Sequence, residues 1–335
     1  MSNIPDQEQL DVFVSGLLFF DVVFSGLEHA PKLGTEIWTT AMACGPGGIA
    51  DFAFTLRRLG LRTGLAAAFG DDPLGRYCWT TLAEEEGVDL SRSRRFPGWA
   101  TPTTVSLAYD GDRALVTHGA QPPQSADEMI GEPPPARAAI VHLRSEPVEW
   151  PAKTGGLVFG DVGWDPTQEW PSAMLDQLAW CHAFMPNAQE AMSYTGTDTP
   201  AAALTRLADL VPLAVVTCGA DGAIAVDATT GETAQVPGLP VDVRDPTGAG
   251  DVFGAGLVVA TLAGWPLAQR LRFANLAAAL SVRRVGAAAS APGWADVAAW
   301  YRAVTDPQLR RGYGFIHDVI PASVAGDQEA HEPKG

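Results

Sequence analysis

The sequence is poor in basic residues and in long apolar runs. It has 22 Lys and Arg against 39 Asp and Glu, a formal net charge of -17. This balance argues against nucleic acid or an anionic membrane surface as the main partner. No apolar run approaches the roughly 18 residues of a membrane span, and the first residues lack the basic and apolar parts of a signal peptide. We therefore expect a cytoplasmic globular protein with no nucleic-acid or membrane partner.

The sequence also lacks paired cysteines and the commonest nucleotide-binding loops. Its four cysteines are scattered with no CxxC pair, so we expect reduced thiols rather than disulfides. There is no GxxxxGK(S/T) loop and no GxGxxG after a strand. The first absence excludes a Walker-type phosphate loop, and the second disfavours a nicotinamide dehydrogenase.

What the sequence does contain is enough apolar material for a large core, because 47% of its 335 residues are hydrophobic. Strand patterns alternate with helix patterns along most of the chain, which predicts an α/β fold with a mostly parallel sheet covered on both faces. The strand patterns lie at 11–19, 63–69, 138–143, 156–161, 182–185, 213–217 and 223–226. The helix patterns lie at 47–60, 71–87, 187–195, 200–209, 249–263, 267–285 and 294–303.

Two segments fit this alternation poorly, namely 22–44 and the hairpin pattern within 98–120. We expect them to form a small β-sheet lid beside the main sheet. The segment 321–335 is polar and is expected to be a disordered tail.

The most informative stretch is DPTGAGDVFGAG at 245–256, which precedes an apolar helix pattern. Gly248 and Gly250 let the main chain approach an anion at a helix start, where N–H groups are unpaired and the helix dipole is positive. Asp251 places a carboxylate beside that anion, which suits removal of a proton from a hydroxyl that attacks a phosphate. The alternative is a helix cap after a glycine turn.

Two further motifs each have two interpretations. Asn187 and Glu190 lie three residues apart on one helix face, an arrangement that suits Mg²⁺ but equally describes a capping box. The stretch TCGADG at 217–222 is either a hairpin turn or a loop that contacts a nucleotide through Thr217 and Gly219.

Carboxylates near the N-terminus provide a candidate sugar site. Asp21 follows the first strand pattern, and Gly47, Gly48 and Asp51 lie at a helix start. A buried carboxylate can accept hydrogen bonds from two sugar hydroxyls, and the glycines permit close approach. The alternative is an exposed loop aspartate and an aspartate near a helix N-terminus.

Together, the order and spacing of these motifs resemble the ribokinase-like (PfkB) family of carbohydrate kinases over roughly residues 10–305. The stretch 245–256 is similar to that family's C-terminal signature, and 47–60 with 70–89 to its N-terminal signature region. PNAQEA at 186–191 resembles its Asn-x-x-Glu motif, TCGADG its nucleotide loop, and 274–282 the segment that closes around adenine. The resemblance implies one kinase domain at 10–320 with a three-layer α/β/α fold.

The resemblance also implies roles for individual residues. It makes Asp251 the general base, with an anion hole formed by Gly248, Ala249 and Gly250. The sugar site would contain Asp21, Gly47, Gly48 and Asp51, and the ATP site would contain Asn187, Thr217, Gly219, Gly222 and Asn275. Asn187 and Glu190 would organise Mg²⁺ through water, and Asp245 and Thr247 match positions that bind K⁺ in some members. Lid strands pair between subunits in many members, which implies a homodimer.

One departure from the family pattern concerns the acceptor. Many members have Asn at the position of Asp51, and the added carboxylate would repel a phosphorylated substrate. We therefore predict ATP-dependent phosphorylation of a primary hydroxyl of a small neutral sugar such as ribose, fructose or a related keto-sugar. A nucleoside kinase on the same fold and a non-catalytic sugar-binding sensor remain the alternatives.

Overall fold

The computed structural model describes residues 9–109, 112–163, 165 and 167–325. Its strands, in chain order, are β1 (Leu10–Ser15), β2 (Leu18–Ser25), β3 (Ala41–Gly48), β4 (Thr63–Ala66), β5 (Ala68–Gly70), β6 (Arg94–Phe96), β7 (Thr103–Tyr109), β8 (Asp112–His118), β9 (Ala136–Leu143), β10 (Leu157–Val162), β11 (Ala183–Phe184), β12 (Leu213–Thr217), β13 (Ala223–Asp227) and β14 (Glu232–Val236). Its α-helices are α1 (Ile49–Arg58), α2 (Pro73–Thr80), α3 (Ala126–Ile130), α4 (Ala188–Thr195), α5 (Pro200–Ala208), α6 (Ala249–Leu262), α7 (Leu267–Ser281), α8 (Trp294–Ala303), α9 (Pro307–Gly312), α10 (Ile316–Val319) and α11 (Ala322–Ala325).

An eight-stranded sheet forms the centre, in the order β14-β13-β12-β11-β10-β9-β1-β4. The strands from β4 to β12 in this order are parallel, and β13 pairs antiparallel with both β12 and β14. The chain passes from β1 to β4 on one side and later to β9 on the other, so the strand order reverses at β1. In open α/β sheets, ligands bind at the carboxyl ends of the strands beside such a reversal.

Helices cover both faces of this sheet because its strands are apolar on both sides. In β9, Ala138 and Ile140 pack into the core that contains α1, α6 and α7. The alternate residues Ala139 and Val141 pack into the opposite core with α4 and α5. Alternate side chains of a strand point to opposite faces, so the two cores lie on opposite faces. The predicted three-layer fold is confirmed.

The strand pattern at 11–19 divides into two strands that belong to different sheets. β1 lies in the central sheet, and β2 begins a second sheet in the order β3-β2-β7-β8. Gly16 lies between them, where a Cβ atom would be 2.7 Å from Nδ1 of His142. The segments 22–44 and 98–120 contain most of the second sheet, although β2 begins at Leu18 and β3 extends to Gly48.

Other boundaries also differ from the sequence patterns. The helix pattern at 71–87 becomes α2, with Asp72 as its N-cap, followed by a π-helical turn at Thr81–Glu85. β14 was not predicted. The expected disordered tail is corrected at its start, because α11 forms over Ala322–Ala325, and residues 326–335 lie outside the described residues. Within the described ranges, no helix is long and apolar enough to cross a membrane.

Candidate active site

The predicted anion site lies at the start of α6. Its N-cap, Gly248, has φ 74° and ψ 2°, a left-handed conformation that favours glycine. A Cβ atom on Gly248 would lie 2.9 Å from Cγ of Asp51, whereas one on Gly250 would meet nothing within 4 Å. The N–H of Ala249 donates to the carbonyl of Pro246 at 3.3 Å, so this predicted anion-hole donor already has a partner. The space beside Gly250 is empty, and the turn is open to a ligand at this position.

Asp251 lies in the first turn of α6. Its side chain is 22% exposed, so a substrate can reach it, and its Oδ1 lies 3.7 Å from Nε2 of His142. Asp51 lies against the glycine turn that precedes Asp251, so two predicted parts of the site that are distant in sequence meet here.

Asp21 and Asp51 are both buried. Asp21 lies in β2 rather than in an exposed loop, whereas Asp51 lies in the first turn of α1, as its alternative described. Asp21 is 5% exposed and Asp51 is 2% exposed. Each has an Oδ1 atom with no hydrogen-bond partner among the described residues. Buried polar atoms are normally hydrogen-bonded, so these oxygens are suited to accept hydrogen bonds from ligand hydroxyls.

The structure explains why positions 47 and 48, just before α1, are occupied by glycine. A Cβ atom on Gly47 would lie 1.9 Å from Oδ2 of Asp21, so the carboxylate itself occupies the space predicted for a sugar. Gly48 has φ 62°, and a Cβ atom there would lie 2.6 Å from the carbonyl oxygen of Leu17. Both glycines therefore allow Asp21 and the β3–α1 turn to adopt their positions.

The carboxylates of this pocket influence one another. Burial, followed by the charges of Asp251 and Asp245, raises the pKa of Asp21 to about 7. Burial and the same neighbouring acids raise the pKa of Asp51 well above its usual range, opposed by the positive charge of Arg113. The pocket therefore contains acids that are costly to ionise until a ligand supplies hydrogen-bond donors or positive charge.

The structure contains the capping box that was one interpretation of Asn187 and Glu190. Oδ1 of Asn187 accepts from the Glu190 N–H, and Oε2 of Glu190 accepts from the Asn187 N–H, each at 2.9 Å. Burial and the charge of Asp161 are the main causes that raise the pKa of Glu190 to about 7. The cap fixes the position of a carboxyl group that a bound cation would stabilise in its ionised form, so these residues fit the predicted magnesium role as well.

The residues predicted to hold K⁺ form hydrogen bonds with other residues of the protein. Asp245 is 1% exposed, and its carboxylate accepts from the N–H groups of Thr247 at 3.0 Å and Gly286 at 3.2 Å. The Thr247 hydroxyl lies 3.0 Å from that of Ser106. These bonds order the loop before Gly248, and K⁺ binding stays a prediction.

The predicted nucleotide residues lie along the carboxyl ends of neighbouring strands. Thr217 forms a β-bridge with Asn187. Gly219 and Gly222 have φ values of 57° and 92°, and a Cβ atom on Gly222 would lie 2.0 Å from the carbonyl oxygen of Val236. The amide of Asn275 donates to that carbonyl and to the next one along the chain, each at 3.3 Å. The structure thus groups these residues, and their contacts with ATP stay predictions.

Sequence reasoning missed His142 and Asp161. The two residues are paired in the register of β9 and β10, at the carboxyl ends of these strands. Nε2 of His142 lies 3.4 Å from Oδ2 of Asp161. The signal was available, because a charged or ionisable residue ends each of two predicted neighbouring strands, at the edge where parallel sheets bind ligands.

Comparison with known proteins identifies relatives of this chain. The sequence profile described as "pfkB family carbohydrate kinase" matches residues 11–294. A fructokinase of Klebsiella pneumoniae is 32% identical over 281 residues, 75% of this chain and 90% of that protein. An aminoimidazole riboside kinase of Salmonella typhimurium is 29% identical over 280 residues, 75% of this chain and 86% of that protein.

A solved structure shows the same fold. Arabidopsis thaliana ribokinase, complexed with ribose and ATP, superposes with a TM-score of 0.69 at 26% identity, covering 85% of this chain and 96% of that one. The profile covers most of the chain and the fructokinase exceeds 30% identity over most of its length. This chain therefore belongs to the pfkB family of carbohydrate kinases, which are phosphotransferases.

Proposed function

We propose that this enzyme transfers the γ-phosphoryl group of ATP to a primary hydroxyl of a small neutral sugar. The observation that carries the proposal is the meeting of Asp251, at the open glycine turn of α6, with the buried carboxyls of Asp21 and Asp51. Asp251 takes the proton of the acceptor hydroxyl as that hydroxyl attacks the phosphorus atom. The N–H of Gly250, at the open position of the turn, donates to an oxygen of the transferring group.

Asp21 and Asp51 orient the acceptor. Their unpaired Oδ1 atoms accept hydrogen bonds from sugar hydroxyls, and each bond favours the ionised form of a carboxyl group that burial otherwise disfavours. A polyol would therefore supply the hydrogen-bond donors that these two carboxyl groups lack in the ligand-free protein. Closure of the second sheet over the bound sugar would exclude water and limit hydrolysis of ATP.

ATP would lie beside Thr217 at the end of β12, the following turn with Gly219 and Gly222, and Asn275 on α7. Mg²⁺ would be held near Asn187 and Glu190, where a buried carboxyl group with a raised pKa fits a cation. When bound, the ion neutralises phosphate charge during the transfer. This assignment predicts no activity after chelation of divalent cations.

The acidity of the pocket favours a neutral acceptor over a sugar phosphate. Asp21, Asp51 and Asp251 all lie close enough for their charges to interact. A phosphate on the acceptor would lie in this field, and placing like charges together costs several kcal/mol. Two relatives, the fructokinase and the aminoimidazole riboside kinase, are named for acceptors without a phosphate, whereas two others are named ribose-1-phosphate kinase and 6-phosphofructokinase.

An acceptor screen tests the proposed function. ADP release is measured with ATP and Mg²⁺ in the presence of fructose, ribose, fructose 6-phosphate, adenosine and aminoimidazole riboside. We expect a neutral sugar to give a kcat/KM at least ~10² above that of the phosphorylated sugar, a ratio that corresponds to a few kcal/mol. Preference for a nucleoside would favour the nucleoside kinase alternative. A thermal shift with sugar but no ADP under any condition would establish the sensor alternative instead.

We also propose that the enzyme is a homodimer that associates through the second sheet. Leu115 and Val116 on β8 are 51% and 64% exposed, and Trp38, just before β3, is 86% exposed. Burying such a surface in a second copy would favour association. We expect Leu115→Glu to convert a dimer into a monomer in sedimentation velocity, whereas Leu210→Glu, at another exposed leucine, keeps the wild-type mass. A monomeric wild-type protein would refute this assembly.

A further inference from the structure

His142 occupies a confined position at the carboxyl end of β9. Its ring packs edge-on against Phe52, with ring centroids 5.8 Å apart and an interplanar angle of 67°. Gly16 contacts another part of the ring so closely that a Cβ atom at position 16 would lie 2.7 Å from Nδ1 of His142. These contacts direct Nε2 between two carboxylates, with Oδ2 of Asp161 at 3.4 Å and Oδ1 of Asp251 at 3.7 Å.

The proposed mechanism does not yet use this imidazole. Nε2 is buried without a well-formed hydrogen bond among the described residues, and its two carboxylate contacts have the separation of ion pairs. His142, Asp161 and Asp251 have polar atoms within 4.8 Å of one another. A proton on the imidazole would place a cation between two carboxylates, which offsets one of their two negative charges and reduces their mutual repulsion.

The surroundings favour the protonated form of His142. Burial by itself lowers its pKa, but Asp161 and Asp251 outweigh this effect and raise the pKa to about 9. The charged groups around the three residues are predominantly acidic, with one basic side chain near Asp51. Against the ring lie Asp161 on β10 and Asp251 on α6, and beyond them lie Glu190 on α4, Asp51 on α1, Asp21 on β2, Asp245 before α6 and Arg113 on β8.

We propose that protonated His142 is the positioning residue of the general base: held by Asp161, it places a positive charge beside the Asp251 carboxylate and orients that carboxylate. This inference rests on the proposed function of Asp251. His142 keeps its proton throughout, and its Nε2 contacts Asp161 as well as Asp251, so Asp161 holds the ring at the nitrogen that faces the base. Without this cation, the Asp251 carboxylate would lose the neighbouring group that orients it, while the carboxyl groups of Asp21 and Asp51 would remain close to it.

The pH dependence of kcat separates positioning from a purely structural role. Wild-type activity should decline on the basic side near pH 9, where His142 loses its proton. In His142→Gln, this basic decline should be absent, because the amide that replaces the imidazole does not titrate. At neutral pH, we expect kcat to fall roughly tenfold, with a smaller change in the sugar KM.

His182 provides a matched control. It also packs edge-on against a phenylalanine, Phe159, with ring centroids 5.8 Å apart and an interplanar angle of 66°. Burial lowers its pKa, and its charged neighbours are Asp227 and Arg270 rather than residues of the site. His182→Gln should therefore retain the wild-type pH profile. A His142→Gln profile identical to that of the wild type would overturn the positioning role.

A nuclear magnetic resonance titration of the imidazoles separates this inference from the proposed function, because it needs no catalysis. The His142 signal is identified by its loss in His142→Gln, and we expect its midpoint near pH 9 in the wild type and lower in Asp161→Asn. A midpoint at or below the ordinary value of 6.5 would refute the ion-paired imidazolium. A midpoint near 9 in a protein that phosphorylates no acceptor would support the ion pair and reject the proposed function.

Discussion

Replacement of Asp251 by Asn is expected to lower kcat by at least ~10² while ATP affinity is retained, the size typical of a lost general base. Asn has nearly the same shape but cannot accept the proton of the attacking hydroxyl. The side chain lies in the first turn of α6 beside the open glycine turn, so the substitution should leave the nucleotide site intact. Steady-state ADP release gives kcat, and calorimetric titration with ATP gives the affinity.

Asp296→Asn is the matched control for this experiment. Asp296 occupies the same position in the first turn of α8 as Asp251 does in α6, and there it caps Gly293 and pairs with Arg284. Its loss should reduce the stability of a surface helix, with kcat unchanged. Near-full activity of Asp251→Asn, or an equal loss in both variants, would contradict the assignment of Asp251 as the base.

Asp21→Asn is expected to stabilise the ligand-free protein at pH 8 while impairing catalysis. The pKa of Asp21 is raised from 3.8 to about 7, first by burial and then by Asp251 and Asp245. A carboxyl group whose pKa is higher in the folded state destabilises the fold as pH rises from about 4 to about 7, and this cost is complete above about 7. The pKa difference corresponds to on the order of 4 kcal/mol at most, which the neutral amide removes.

The same substitution weakens acceptor binding, because a hydrogen bond to a charged acceptor contributes roughly 1.5–3 kcal/mol. We expect kcat/KM for the sugar to fall by about 10- to 100-fold. Urea unfolding at pH 5 and pH 8 measures the stability difference, which should be larger at pH 8. A lower stability of Asp21→Asn than of wild type at pH 8 would show that the carboxyl group is compensated within the ligand-free protein.

Asp72→Asn gives the opposite expectation and serves as the control. Burial opposes its ionisation, but hydrogen bonds from Gly75 and Thr101 outweigh burial and lower the pKa of Asp72. The stability from a lowered carboxyl pKa is present above the ordinary value and is lost as pH falls. Asp72→Asn should therefore destabilise the protein at pH 8, so the two variants move in opposite directions.

Local features of the site were predictable from the sequence. Gly248 lies at a helix start because glycine tolerates the left-handed conformation that the turn requires. Asn187 and Glu190 form a capping box because residues three apart meet at a helix N-terminus. In each case the residues are neighbours in sequence, so short-range geometry determines the outcome.

Contacts across the sheet were less accessible. His142 and Asp161 face each other because β9 and β10 are adjacent and in register, and strand order is set by the packing of the whole domain. The break at Gly16 has the same origin, since the ring of His142 occupies the space of a side chain there. An apolar run such as 11–19 contains no local sign that its two halves join different sheets.

The sequence by itself determined the family, the alternation of strands and helices, and the glycine turn that carries Asp251, because each depends on local order and spacing. Only the tertiary structure decided which side chains surround that aspartate. It places Asp21 against Gly47, Asp51 against Gly248 and His142 against Asp251. The physical reason is that burial and charge act through space, so the properties of a carboxyl group depend on neighbours that only folding brings together.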